Sequence, residues 1–404
     1  MRLSKNVEAF RPSPIRAMLR VVANPNIISF AGGMPGEDLF PIDDVREMVQ
    51  VVPRKMMEIG LQYGTTDGLG LLIEEIKKVS EAQGFDMTKN KVIITTGSTQ
   101  VMNIVAKLML DPNDIMLTED PVFVGSLGAF CSYNAQVIGI PLDNEGIVIE
   151  ELERALKLHP KFIYITPTFH NPAGLTYSEQ RRKEFIEMMA KYPDTMVLED
   201  DAYGRLYFDE ETAKLIKPMK AYAPNEQQFI YCSSFSKIFG PGLRIGWMIV
   251  PNELYDVAEI AKQSMDACTP VFSQILAYEF IRSGRMDKYV VYLRDTYKLR
   301  RDAMVNAIRK YCPAEATFVE PKGGFFVWLR LPDGVDTDAL FDECSKNGVV
   351  FVKGSAFTPD GRDNRHIRIS FCNVNEEIIE KGVKILGDAM HSLMKKYSFL
   401  FLDY

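Results

Sequence analysis

Between residues 90 and 250, short apolar runs rich in β-branched residues take turns with longer amphipathic runs. The short runs read as strands: KVIITTG (91–97), DIMLTED (114–120), AQVIGIPL (135–142), KFIYITPT (161–168) and TMVLEDD (195–201), followed by 229–232 and 245–250. The longer runs read as helices: STQVMNIVAKLML (98–110), FVGSLGAFCSY (123–133), IEELERALKL (149–158) and SEQRRKEFIEMMAKY (178–192). Strands that are apolar at consecutive positions are buried on both faces. This rhythm predicts an α/β fold, with a mostly parallel sheet covered by helices on both sides. In such sheets ligands bind beyond the carboxyl ends of the strands. Gly97-Ser98-Thr99, Asp120-Pro121, His170-Asn171, Asp200-Asp201 and Ser234 stand at those ends.

Outside this stretch the pattern changes. Residues 1–40 read as an arm, with PSPIRAMLR (12–20) a short helix entered through Pro14. Helices are predicted from Pro41 to about 52, capped by Asp43 or Asp44, and over 70–83, 252–265, 270–283 and 286–311. The last leads into an α+β part. There ATFVEPKGGFFVWLRL (316–331) reads as a hairpin around Gly323-Gly324, followed by a helix at 336–347. VVFVKG and HIRISFC read as strands, and a final helix spans 376–397. The expected organisation is an arm (1–40), a large domain (41–285) and a small C-terminal domain (286–404).

At 404 residues, 47% hydrophobic and 25% charged, the chain is an ordinary globular protein long enough for two domains. Its net charge of −7 argues against non-specific nucleic-acid binding. No apolar run approaches the roughly 18 residues that span a bilayer, and the N-terminus lacks the apolar core of a signal peptide. The six cysteines (131, 232, 268, 312, 344 and 372) and four histidines are scattered. Reduced thiols, no metal and a cytoplasmic location are the expectation.

Candidate chemistry gathers in YCSSFSKIFGPGLRIGW (231–247). Lys237 lies between two buried strands, and burial or a nearby cation lowers an amine's pKa toward nucleophilic use. Arg244 is such a cation and also suits a phosphate, as do the hydroxyls of Ser234 and Ser236. The competing reading is a solvated turn capped by serines. Ser98 and Thr99, at a strand-to-helix turn, form either an anion site or an ordinary N-cap. Asn171 lies in HNPAG, itself a good turn. Asp200 or Asp201 can fix the protonation of a heteroaromatic nitrogen, with Tyr203 beside a phenolate oxygen, or the pair can cap the next turn. Arg368, inside an apolar strand, calls for either a carboxylate ligand or a structural salt bridge.

Taken together these residues resemble the pyridoxal-phosphate aminotransferases of fold type I, class I/II, over nearly the whole length. The pieces are Y-x-x-x-D-G-x-x-x-L at 63–72, the glycine-serine turn at 97, D-P-x-F at 120–123 and N-P-x-G at 171–174. D-x-A-Y at 200–203, S-x-S-K…R at 234–244 and I-R-I-S at 367–370 complete the order. The resemblance implies a large domain with a mostly parallel seven-stranded sheet, binding pyridoxal 5'-phosphate, beside a smaller α+β domain. Lys237 is then the residue of the internal aldimine and the proton shuttle, and Asp200 keeps the pyridine nitrogen protonated. Tyr203 and Asn171 hold O3′, and Phe123 stacks on the ring where many members carry tyrosine. Ser98, Thr99, Ser234, Ser236 and Arg244 hold the phosphate. Tyr63 reaches it from a second subunit, which implies a homodimer with shared active sites. Arg368 clamps the substrate α-carboxylate, with Gly33 and Asn171 alongside.

The arm P-S-P-I-R followed by I-S-F-A-G-G-M-P resembles the aminoadipate/kynurenine aminotransferase-like subgroup, where Arg16 matches an arginine that meets a distal carboxylate. The competing reading of Arg16 is a solvated charge. The implied activity is amino transfer, by ping-pong kinetics, between an L-amino acid (2-aminoadipate, glutamate, aromatic or aliphatic) and a 2-oxo acid such as 2-oxoglutarate. Two rivals stand beside it: a C–S β-lyase or decarboxylase on the same fold, and the effector-binding half of a transcription regulator.

Overall fold

The computed structural model describes residues 1–3, 7 and 26–400, with side chains as far as 395. Strand β1 (Ile28–Ser29) precedes a central sheet built from β2 (Asn90–Thr95), β3 (Ile115–Asp120), β4 (Gln136–Asp143), β5 (Gly146–Ile147), β6 (Phe162–Ile165), β7 (Met196–Asp200), β8 (Phe229–Ser234) and β9 (Gly246–Pro251). Their order across the sheet is β2-β9-β8-β7-β6-β3-β4-β5. Seven long strands are those the pattern predicts, and β5 adds a two-residue antiparallel edge. Among the long strands only β9 runs against the rest, paired antiparallel to both β2 and β8.

The strands are apolar throughout because both faces are covered. Every residue of β6, β8 and β9 is buried. On one face the helix Ser98–Met109 lays Val101, Met102 and Val105 against Leu198 and Ile230 of the sheet. On the other the helix Glu179–Ala190 buries Phe185, Ile186 and Met189 against Ile163 and Val197. Packing at this density makes truncation expensive: Ile104→Ala, at a fully buried position, removes about 2–5 kcal/mol.

In the C-terminal part the helices Arg285–Tyr311 and Glu376–Leu400 pack together. A second sheet sets β13 (His366–Ser370) between β10 (Phe326–Arg330) and β12 (Val352–Lys353), all antiparallel. The helix Thr337–Lys346 starts at Asp336, whose carboxylate accepts the Asp338 and Ala339 N–H groups.

Three expectations change here. The helix Ile42–Val51 begins at Pro41 with no side-chain cap, so Asp43 and Asp44 lie in its first turn and do not cap it. The hairpin around Gly323-Gly324 shrinks to one bridge between Thr317 and Arg330, because the glycines pair elsewhere: Gly324 N–H donates to Leu206 O at 3.0 Å, and Gly323 bridges Tyr207. VVFVKG splits in two, since β11 (Val349–Val350) pairs parallel with β1 while β12 joins β13. That parallel pair ties residues 28–29 to the C-terminal part and brings Gly33 over the carboxyl ends of the central strands. No helix among the described residues is long and apolar enough to cross a membrane, and no three or more of their His, Cys, Asp or Glu side chains are placed to share a metal.

Candidate active site

Beyond β8 the Ser234 hydroxyl accepts the Ser236 N–H at 3.0 Å, closing a turn over Phe235–Lys237. The turn throws Lys237 into a cavity of about 270 Å³. Its Nζ donates to Gly33 O at 2.7 Å and lies 5.6 Å from the centroid of Tyr203. Burial pushes its pKa down to about 8, with the Arg368 and Arg244 cations acting in the same direction. A free amine is therefore accessible near neutral pH, which a lysine in a solvated turn lacks.

Asp200 ends β7. Period-two alternation puts it on the cavity face and sends Asp201 away. Asp201 is the turn-capping acid: its Oδ1 accepts Gly204 N–H and its Oδ2 the Tyr231 hydroxyl. Asp200 Oδ2 accepts the Tyr164 hydroxyl at 2.7 Å, and its Oδ1 lies 3.5 Å from Cys232 Sγ. Burial raises its pKa to about 6.

Asn171 is held by a buried network. His170 Nε2 lies 3.0 Å from Glu119 Oε2, and His170 Nδ1 accepts the Ala173 N–H. Glu119 also takes the Tyr177 hydroxyl at 2.7 Å and the Thr166 N–H. From this fixed turn Asn171 Oδ1 accepts from Arg368 Nη1 at 2.9 Å, and its side chain hydrogen-bonds Tyr203. Burial holds the Tyr203 hydroxyl well above its ordinary pKa.

Arg368 lies on β13, 1% exposed, with its guanidinium 4.3 Å from the Phe326 ring centroid and 4.8 Å from that of Phe357. Its other hydrogen bond goes to Ala31 O, and its Nε has no partner among the described residues. No carboxylate of the described residues pairs with it, so the salt-bridge reading fails. A Cβ on Gly33 would sit 2.8 Å from Phe326 Cζ, so the backbone passes this close only as glycine.

At the other end of the cavity the helix Ser98–Met109 presents uncapped N–H groups, because Gly97 has no side chain to cap them. Gly97 is required twice over. Its φ is 79°, and a Cβ there would lie 2.6 Å from Arg244 Nη2. Arg244 adopts φ 55° and spans the turn, donating to Pro241 O and Thr96 O.

Eleven of the fourteen residues singled out in the sequence line this one cavity. Ser234 does not: it stands behind Ser236, 2.8 Å from its hydroxyl. Tyr63 is 85% exposed on the surface, and Arg16 lies outside the described residues. Tyr164, Thr166 and Met34 also line the cavity and were missed. Only the continuity of KFIYITPT pointed to the first two, as a strand leading into the Asn171 turn. A primary amine, a buried carboxylate without a cation and a phosphate-sized cradle together fit pyridoxal phosphate.

The family model for "Aminotransferase class I and II" matches residues 27–386. The chain is 36% identical over 400 residues to aromatic-amino-acid aminotransferase 1 of Thermococcus litoralis, covering 97% of this chain and 95% of that one. It superposes with TM-score 0.91 and 38% identity on a kynurenine aminotransferase from Pyrococcus horikoshii solved in complex with PMP, across 96% and 97% of the two chains. A similar match, TM-score 0.85 and 31% identity over 97% and 98%, links it to the alpha-aminoadipate aminotransferase of Thermus thermophilus complexed with N-(5'-phosphopyridoxyl)-L-leucine. Motif order, sheet order and full-length likeness converge: the chain belongs to the class I and II aminotransferases, pyridoxal-phosphate-dependent enzymes of fold type I.

Proposed function

We propose that this aminotransferase moves an amino group from an L-amino acid to a 2-oxo acid such as 2-oxoglutarate, with both half-reactions using the same site in turn. The observation that carries the reading is Arg368, a buried guanidinium that lines the lysine cavity and has no carboxylate partner among the described residues. Burying such a charge is costly unless a ligand completes it, and a planar fork suits an α-carboxylate. The cation also disfavours amines that carry no carboxylate. The named relatives act on aromatic amino acids, kynurenine and aminoadipate, which supports a donor range from 2-aminoadipate and glutamate to aromatic and aliphatic amino acids.

Pyridoxal phosphate supplies an electron sink for the charge left when the substrate Cα–H breaks. The protein's residues do the rest. Lys237 would supply the amine that holds the cofactor and, when free, would take the proton from substrate Cα. Asp200 holds the ring nitrogen protonated, and Asn171 and Tyr203 orient the ring oxygen. Phe123 would cover one face of the ring; Gly125 makes room for the phenyl group, since a Cβ there would lie 2.4 Å from Phe123 Cζ. Ser98, Thr99, Ser236 and Arg244 receive the phosphate, with Ser234 fixing Ser236. Gly33 and Arg368 seat the substrate carboxylate, and Arg16 reads a distal one.

The division into arm (1–40), large domain (41–285) and small domain (286–404) puts Arg368 and Lys237 on different domains. The exposed Tyr63, next to Leu61 at 86% exposure, supports a homodimer in which Tyr63 completes the partner's phosphate site. We place the enzyme in the cytoplasm.

The test is a half-reaction without acceptor. L-Glutamate, L-2-aminoadipate or L-phenylalanine should bleach the visible cofactor band of the holoenzyme stoichiometrically, and 2-oxoglutarate should restore it. Catalytic release of pyruvate and ammonia from a cysteine conjugate with no 2-oxo acid present would replace this reading with a lyase.

A further inference from the structure

Asp200 is a buried carboxylate that no cation of the described residues pairs with, yet it faces the cavity in which its charge is needed. Strand register shows what supports it. Tyr164 of β6 pairs with Leu198 of β7, and Asp200 of β7 pairs with Cys232 of β8. Residues two apart share a face, so Tyr164, Asp200 and Cys232 form a row across three adjacent strands. Their side chains meet, at 2.7 Å from the Tyr164 hydroxyl to one carboxylate oxygen and 3.5 Å from the Cys232 thiol to the other.

We infer that Tyr164 is a positioning residue for catalysis: its hydroxyl, seconded by the Cys232 thiol, keeps Asp200 anionic and so keeps the bound cofactor's ring nitrogen protonated. The inference rests on the role proposed for Asp200.

Three features single out the tyrosine. It is fully buried, and its ring meets Phe130 edge-on at 5.4 Å. Thr166 Oγ1 donates to the Tyr164 oxygen at 3.4 Å, so the tyrosine's own proton remains for Asp200. Burial and the neighbouring carboxylate hold the acidity of Tyr164 and of Cys232 far below the ordinary range, so both remain protonated donors while Asp200 carries charge. A thiol is the weaker donor. Without the tyrosine hydroxyl, the proton shared between ring nitrogen and carboxylate shifts toward the carboxylate. The pair then becomes neutral, and the ring loses its pull on electrons.

The experiment uses holoenzyme carrying cofactor labelled with ¹⁵N in the ring. The wild type should resonate at the pyridinium position. Tyr164→Phe should move the resonance toward neutral pyridine and weaken cofactor binding by about ten- to a hundredfold, the range for a hydrogen bond to a charged group. Cys232→Ser, which strengthens the second donor, should move it the opposite way. Phe130→Leu loosens the ring packing without touching the hydroxyl and should leave the resonance in place. An unchanged resonance in Tyr164→Phe overturns the inference, as does an equal shift in Phe130→Leu. Asp200→Asn separates the two readings: if it too leaves the nitrogen protonated, the proposed role of Asp200 fails and not merely that of Tyr164.

Discussion

Strand β7 places two carboxylates side by side, Glu199 and Asp200, and the pleat sends them to opposite faces of the sheet. On each face a buried arginine and a buried lysine belong to the same region. Behind Glu199, Arg182 is 1% exposed and has an acceptor for every guanidinium nitrogen: Tyr177 O, Lys217 O, Pro167 O and Thr168 Oγ1. Lys220, fully buried, donates to Glu226 O at 2.9 Å, and Glu199 accepts the Met219 and Lys220 N–H groups. Before Asp200, Arg368 leaves its Nε without a partner among the described residues, and Lys237 makes one bond to a carbonyl at the cavity wall. Both regions bury the same kinds of charge. One closes its hydrogen bonds internally and holds the fold; the other leaves them open, and that incompleteness is where a ligand is recognised.

The lysines give the largest contrast. Lys237→Ala should lower turnover by about 10 000-fold, the upper range for a lost proton-transfer group, with little change in thermal midpoint. Lys220→Met should do the reverse, leaving kcat of the folded enzyme intact and lowering the midpoint. Turnover and melting curves of both variants decide it; a Lys220→Met protein that melts normally but turns over slowly would break the comparison.

The arginines come next. Arg182→Met should cost about 3–5 kcal/mol in denaturant unfolding, because its loss strands several buried acceptors at about 1–3 kcal/mol each. Arg368→Met, which removes a charge that no carboxylate of the described residues pairs with, should cost far less stability. Its effect should instead fall on the amino-acid KM, raised about a hundredfold if charged hydrogen bonds contribute about 3 kcal/mol.

Both lysines have their pKa lowered to about 8, with burial as the main cause. They therefore lose a proton together as pH rises through 8, where an ordinary lysine stays charged to about 10.5. Only Lys237 opens onto a cavity. Capture of pyridoxal phosphate by the apoprotein should rise through pH 8 and then level off. Borohydride reduction and peptide mapping should find the label on Lys237 and none on Lys220. Label on both would mean that the closed region opens in solution.

The sequence carried the open region better than the closed one. Lys237, Arg244, Asp200, Asn171 and Arg368 break apolar strands or the turns after them, so each stood out as a polar residue in the wrong company. The two acids of LEDD were already in view; the resemblance chose Asp200, and the pleat of β7 supplies the physical reason. Tyr164 could be placed on a strand but given no role, because FIYI is buried on both faces, and a strand with no polar side gives no sign of which way a tyrosine points. Arg182 was hidden for a different reason. It sits in a charged helical run, EQRRKEF, where only tertiary acceptors distinguish it from its solvated neighbours. The pairings of β1 with β11 and of Gly323 with Tyr207 were likewise out of reach, since contacts of one or two residues are set by the surrounding packing and not by local propensity.

The smallest expected effect tests the strand itself, through two amide replacements one residue apart. Burial raises the pKa of Glu199 to about 7 from an ordinary 4.5. Between those values the folded protein holds a proton that the unfolded chain has released. This group's stabilisation is therefore full below pH 4.5 and is lost as pH rises through 7. Glu199→Gln puts an amide where both the Met219 and Lys220 N–H groups donate, so one donor faces another, at a cost of about 1–3 kcal/mol. It also removes the titrating group. Its deficit against the wild type should be widest near pH 4.5 and narrow toward pH 8. Asp200→Asn should leave the unfolding midpoint of the apoprotein nearly unchanged near pH 7, while loosening the cofactor. If the amide at 199 weakened cofactor binding as much as the amide at 200, the two faces of β7 would be coupled, and the division between a closed structural region and an open chemical one would not hold.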